Sequence, residues 1–212
     1  QTIDLSEIGL REANKMLHAQ SADTNQTAWT IENAKGAHAI ACGLDAPIEV
    51  AVNGYTGYYC GGMNQQDPVN LHGSAGPGDA SQYLGATGHG GMIVVKGNAS
   101  SRCGISMKGV NIVVQGNIGH MSAFMGQSGN LVVCGDAGDA LGDSCYEARF
   151  FVRGTVKSLG ADCEKKEMRA EHSEILQGLL DEAGIDADPS EFTRYGSARN
   201  LYNFDVDNAA AY

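Results

Sequence analysis

In this 212-residue chain three aspartates of the run GDAGDALGD, Asp136, Asp139 and Asp143, stand among glycines as a set of hard oxygen ligands. Acids interleaved with glycine suit calcium in the nonapeptide pattern, which works only when successive nine-residue copies share ions. The neighbouring segments GNIGHMSAF and GNASSRCGI lack the acids, so the run reads as solvated turn residues. His89 in GATGHGG and His120 in NIGHMSAFMGQSG fall in turns, where an imidazole can act as acid or base. No serine or cysteine beside either stands in a nucleophile motif. The glycine-rich GSAGPGDAS is followed by no G-K-[ST], which removes a phosphate-loop reading. Cys42, Cys60, Cys103, Cys134, Cys145 and Cys163 contain no C-x-x-C and no metal-site spacing with histidine, and they are expected to be reduced, buried thiols. No catalytic, cofactor-binding or metal-ligating residue is assigned.

The bulk composition narrows the partners. Acids outnumber bases by 25 to 14, for a net charge of −11, and no Lys/Arg run is present to follow a nucleic-acid backbone or an anionic membrane. The longest apolar runs fall far short of the roughly 20 residues that cross a bilayer. QTIDLSEIGL has no basic segment followed by an apolar one, so a cytoplasmic location is expected.

What positions these residues is a repeat. NIVVQGNIG (111–119) and NLVVCGDAG (130–138) are near copies 19 residues apart. Anchoring copies on the glycine that closes each apolar run gives Gly54, Gly73, Gly97, Gly116, Gly135 and Gly154. A second column, Gly61, Gly85, Gly104 and Gly142, falls seven residues after the anchor except at Gly85, which places an insertion in PGDAS at 77–81. Four and two residues before each anchor stand Val50/Val52, Val69/Leu71, Ile93/Val95, Ile112/Val114, Leu131/Val133 and Phe150/Val152, the alternation of a short strand with one buried face. Strands this short are stable only when stacked about 4.8 Å apart. Stepping by six from Val95 meets Ser101, which breaks a hexapeptide helix at once. The expectation is a mainly β chain: a right-handed parallel β-helix of about six to seven coils, with glycines at corners that need positive φ or close approach.

A solenoid needs capped ends. Residues 1–28 are expected as an N-terminal helical cap, with a capping box from Asp4 to Glu7. The β-helix occupies 29–164, and 165–212 supply a helix and a docking tail. In that helix Met168, His172, Ile175, Leu176, Leu179, Leu180 and Ala183 share a stripe and Gly184 caps the end. Asp188-Pro189 opens a short helix. Tyr195, Arg199, Leu201, Tyr202 and Phe204 beyond it suit a partner interface or a return onto the coils. The residues three before each anchor, Ala51, Asn70, Val94, Val113, Val132 and Phe151, are largely apolar, so that outer strip is expected to lie under another chain.

The copies from GMIVVKGNASSRCGISMKGVNIVVQGNIGH to GDSCYEARFFVRG resemble the G-x-G-x-G β-helix domain that ends the large subunit of glutamate synthase and occurs in one of the polypeptides of formylmethanofuran dehydrogenase. GDSCYEARFFVRGTVKSLGADCEKKEM and RYGSARNLYNFDVDN are similar to the stand-alone form of that domain in N-methylglutamate synthase-like enzymes. The resemblance covers about residues 30 to 205. It implies a non-catalytic scaffold subunit of an FMN-dependent complex in methylamine and glutamate metabolism. The partners implied are a glutaminase-type subunit and an FMN-binding synthase subunit, the latter carrying the FMN and the iron–sulfur cluster. The other reading it leaves is a formylmethanofuran dehydrogenase-like or glutamate synthase-type component with its own chemistry at His89 or His120.

Overall fold

The computed structural model describes residues 1–65, 70–73 and 83–200. Eight short strands stack in parallel and in sequence order: β1 (Thr2–Asp4), β2 (Ala28–Glu32), β3 (Glu49–Val52), β4 (Asn70–Gly73), β5 (Met92–Val95), β6 (Lys108–Val114), β7 (Ser128–Val133) and β8 (Arg149–Val152). The chain is a mainly β parallel solenoid. Ile93, Ile112, Leu131 and Phe150 pair rung to rung, as do Val95, Val114, Val133 and Val152, and all are fully buried in one inner core. Completely burying such a side chain contributes about 1.5–3 kcal/mol, so repeated columns make the interior self-consistent along its whole length. A second set of parallel bridges, Ile118 to Ala137 to Val156, runs beyond the corner.

The anchor glycines are explained by what their neighbours do. Asn98 Oδ1 accepts the Asn117 backbone N–H at 2.8 Å, Asn117 Oδ1 accepts that of Asp136 at 2.7 Å, and Asp136 Oδ1 accepts that of Thr155 at 2.7 Å. A Cβ on Gly116, Gly135 or Gly154 would fall on the Asx oxygen of the coil before it. The repeated G-N or G-D is therefore a side-chain ladder that needs glycine for close approach. The Thr155 bonds hold the Asp136 carboxyl below the ordinary value of 3.8. Its contribution to stability is thus present above that value and is lost as pH falls through the lower folded one. Asp136→Asn preserves the acceptor, as Asn98 and Asn117 do, but not the charge, and is expected to lower the thermal midpoint at neutral pH only slightly and to remove its dependence on this carboxyl's titration. Asp136→Ala is expected to lower the midpoint further, and thermal melts of the two variants check this.

The second repeat departs from the expected alignment. Leu71 pairs with Val50 and Ile93, and Gly73 with Val52 and Val95. Leu71 therefore holds the position four before the anchor, and Gly73 is a strand residue. The coil spacing is then 21 and 22 residues around Leu71, so the extra length is shared between the two sides of β4. Val69 and the PGDAS segment lie outside the described residues.

Elements of the chain itself pack at both ends of the stack, where β1 and Cys163–Lys166 form the terminal strands of the sheet. Helix α1 (Leu10–His18) starts at Gly9 with no side-chain cap. Asp4, expected to cap it, instead accepts from the Ser6 N–H and hydroxyl and from Asn33 Nδ2. Ala13 and Leu17 of α1 enter the inner core. Asn14 donates to the Ala39 carbonyl at 2.8 Å and accepts the Ala41 N–H at 3.0 Å, supplying what a preceding coil would supply. At the other end, β9 (Cys163–Lys166) is followed by α2 (Ala170–Glu182), whose chain reverses at Gly184, φ +67°. A 3-10 turn over Pro189–Glu191 has the Asp188 carboxylate accepting from the Ser190 N–H, and it leads into β10 (Thr193–Ser197). That strand inserts antiparallel between β8 and β9. Through residue 200 the tail thus returns to its own coils; Leu201, Tyr202 and Phe204 lie outside the described residues.

The outer strip is not left for another chain. Met92, Val94, Val113, Val132 and Phe151 form a second core with Leu176, Leu179, Leu180 and Ala183 of α2 and with Phe192. The apolar stripe of α2 and the apolar strip of the sheet cover each other, which corrects the expectation of a partner at this face.

Candidate interaction face

Where the second glycine column lies, alternate residues take the left-handed backbone conformation, three per coil. Tyr59, Gly61 and Met63 do so in one coil, Tyr83, Gly85 and Thr87 in the next, and Arg102, Gly104 and Ser106 in the third. Each costs an L-residue on the order of 1–2 kcal/mol in isolation. Cross-coil bonding offsets the cost: the Arg102, Met121 and Met125 N–H groups donate to the His120, Asp139 and Asp143 carbonyls at 2.8–2.9 Å, while those of Gly104 and Ala123 donate the other way to Leu84 and Cys103. The middle residue points inward, which is why it is usually glycine, and the outer two are turned to solvent.

That geometry builds an aromatic ridge. Tyr59 and Tyr83 stack with ring centroids 4.8 Å apart, and the Arg102 guanidinium lies 5.6 Å from the Tyr83 centroid. Alongside, His38 stacks on Tyr58 at 4.6 Å, and His38 Nδ1 accepts the Tyr58 N–H. Tyr55, Tyr58, Tyr59 and Met63 remain 43–51% exposed. Stacked rings on a rigid backbone, with polar tips and little entropy left to lose, have the physical character that recognition surfaces use. The signal was present in the sequence, since Tyr59 and Tyr83 each stand two residues before a second-column glycine.

The residues with expected or excluded chemistry are scattered. His89 and His120 are both exposed and stand in different columns, four residues after a second-column and an anchor glycine respectively. Asp136, Asp139 and Asp143 each reach the following coil, Asp139 through Lys157 Nζ at 2.7 Å and Asp143 through the Ala161 N–H at 3.0 Å. The hydrogen bond from Lys157 leads in holding the Asp139 carboxyl below its usual range. Among the described residues no three His, Cys, Asp or Glu side chains gather as a metal site. The six cysteines form no disulfide. Burial pushes the thiols of Cys60 and Cys103 up to about 12, and the Cys163 thiol is raised first by its hydrogen bond with Cys145 and then by burial. No helix of the described residues is long and apolar enough to cross a membrane.

No family model matches the chain. It is similar to Protein GlxC of Rhizobium meliloti (strain 1021), with 61% identity over a 230-residue alignment that takes in 99% of this chain and 99% of that protein.

Proposed function

We propose that this chain, which belongs to the family of Protein GlxC, is a subunit of a glutamate synthase-like enzyme, and within that class a non-catalytic scaffold of an N-methylglutamate synthase-like complex. The G-x-G-x-G repeat, seen as a stacked solenoid with an Asx ladder, supports the class. The observation that carries the scaffold role is the ridge of Tyr55, Tyr58, Tyr59 and Met63, solvent-facing aromatic and thioether groups on a rigid frame. Its partners in this reading are a glutaminase-type subunit and an FMN-binding synthase subunit. The FMN and the iron–sulfur cluster belong to the latter: this chain's cysteines are dispersed and its most buried thiols resist ionisation.

Affinity purification of the tagged chain from its own cells is expected to bring down a yellow flavoprotein. The double variant Tyr58→Ser, Tyr59→Asp is expected to lose most of that capture while staying folded, its thermal midpoint lowered only by the lost stacking on His38 and Tyr83. A chain that elutes alone, without a flavin spectrum, overturns the assignment.

A further inference from the structure

A groove of about 540 Å³ runs between the N-terminal end of α2 and the strands β8, β10 and β9, a volume suited to a small molecule. Arg149, Lys165, Lys166, Arg169, Arg194 and Arg199 line it. These are 6 of the 14 basic residues in a chain with 25 acids, so the cluster runs against the composition. Three of the cations are matched: Arg199 to Glu147 at 2.8 Å, Lys166 to Glu164 at 2.6 Å and Arg169 to Glu167 at 3.1 Å. Glu171 lies outside the lining, 3.8 Å from Arg169. Arg149 and Arg194 have no carboxylate within ion-pair distance among the described residues; Arg194 Nε donates to the Glu167 carbonyl at 3.0 Å, leaving its terminal nitrogens to the groove.

The register forces the two arginines together. Arg194 pairs with Phe151, and Arg149 precedes Phe151 by two residues on the same face. Lys166 faces Arg194 from the other side. Like charges placed so across strands oppose folding, and burial followed by the fields of Arg149 and Arg169 makes the Arg194 charge harder to keep. The α2 N-terminus, which also favours anions, opens on the same space beside Arg169 and His172. His172 Nδ1 accepts the Arg169 N–H at 3.2 Å, and burial, then the Arg194 charge, disfavours protonation of the ring.

We propose that this groove binds a small dicarboxylate, one carboxylate on the Arg149 and Arg194 forks and the other toward Arg169 at the helix end. Guanidinium forks match carboxylates in a bidentate manner. The inference stands apart from the subunit assignment and needs no partner chain.

Calorimetric titration of the full chain with succinate, butyrate and inorganic phosphate, at matched low ionic strength, tests it. Succinate is expected to bind about ten-fold more tightly than butyrate. Arg149→Gln and Arg194→Gln are each expected to weaken succinate about ten-fold, with Lys157→Gln, outside the groove, unchanged. Arg149 is exposed and faces a like charge, so its variant is expected to melt no lower than wild type, and succinate is expected to shift the His172 imidazole resonances in wild type but not in Arg149→Gln. Succinate no tighter than butyrate, phosphate binding alone, or an Arg149→Gln chain that binds as wild type would overturn the site.

Discussion

Val113→Asp is expected to destabilise the chain as severely as Val114→Asp. The two residues are neighbours on β6 and point to opposite faces of the sheet, yet neither side chain has any exposed surface. Val114 is stacked between Val95 and Val133 in the inner core. Val113 stands between Val94 and Val132 in the second core, which Leu176 and Leu180 of α2 share. A carboxylate at either place is buried without a partner, at a cost of about 3–5 kcal/mol against a total stability of roughly 5–15. Val113→Ala, which opens a void but adds no charge, is expected to cost about 2 kcal/mol. Urea unfolding of the soluble variants, with soluble yield for those that do not fold, measures the series. A Val113→Asp chain as stable as wild type would mean that α2 does not sit on the strip.

The same strip shows what could be read before folding was seen. The apolar residues at Val94, Val113, Val132 and Phe151 say that the outer face is buried, because valine and phenylalanine are poor water-facing choices in register. They do not say by what. The α2 stripe carried the complementary half of that information, and only three dimensions join a strip at 94–151 to a stripe at 172–183. Strand periodicity was legible wherever β-branched residues alternated. It slipped at Gly73, because a glycine inside a strand mimics one that closes it, and only the pairing of Leu71 with Val50 and Ile93 separates the two.

Other features left weaker traces. The three left-handed residues per coil were hidden because only the middle one is usually glycine; residues as varied as tyrosine, methionine, threonine, arginine and serine occupy the outer two, held there by hydrogen bonds to adjacent coils. Strand β10 has no strong alternation and takes its place by inserting between β8 and β9. The basic groove was invisible to any search for Lys/Arg runs. Its cations are spread from 149 to 199 and meet because an antiparallel strand and a helix terminus converge on one edge of the solenoid.

Gly142→Ala is expected to be among the most damaging single-methyl changes available in this chain. Its φ is +64°, and a Cβ there would run into the buried Phe150 ring and lie 2.9 Å from Cys163 Sγ. The conformational term is about 1–2 kcal/mol and overpacking adds about 1–3. Ala123, the equivalent residue one coil earlier, separates the two terms: it holds φ +57° as an alanine, opposite a β7 strand whose inner residue is Leu131 rather than a phenylalanine. Most of the loss in Gly142→Ala should therefore come from the Phe150 ring. It follows that Gly142→Ala in a Phe150→Leu background should cost markedly less than in wild type, a coupling that a double-mutant cycle by chemical denaturation reads directly. Gly178→Ala is the opposite control, because Gly178 is exposed within α2 and a Cβ there meets nothing within 4 Å. It is expected to stabilise the chain by about 0.5–1 kcal/mol through helix propensity. Equal costs for Gly142→Ala with and without Phe150 would place the strain in the backbone alone and remove the ring as its cause.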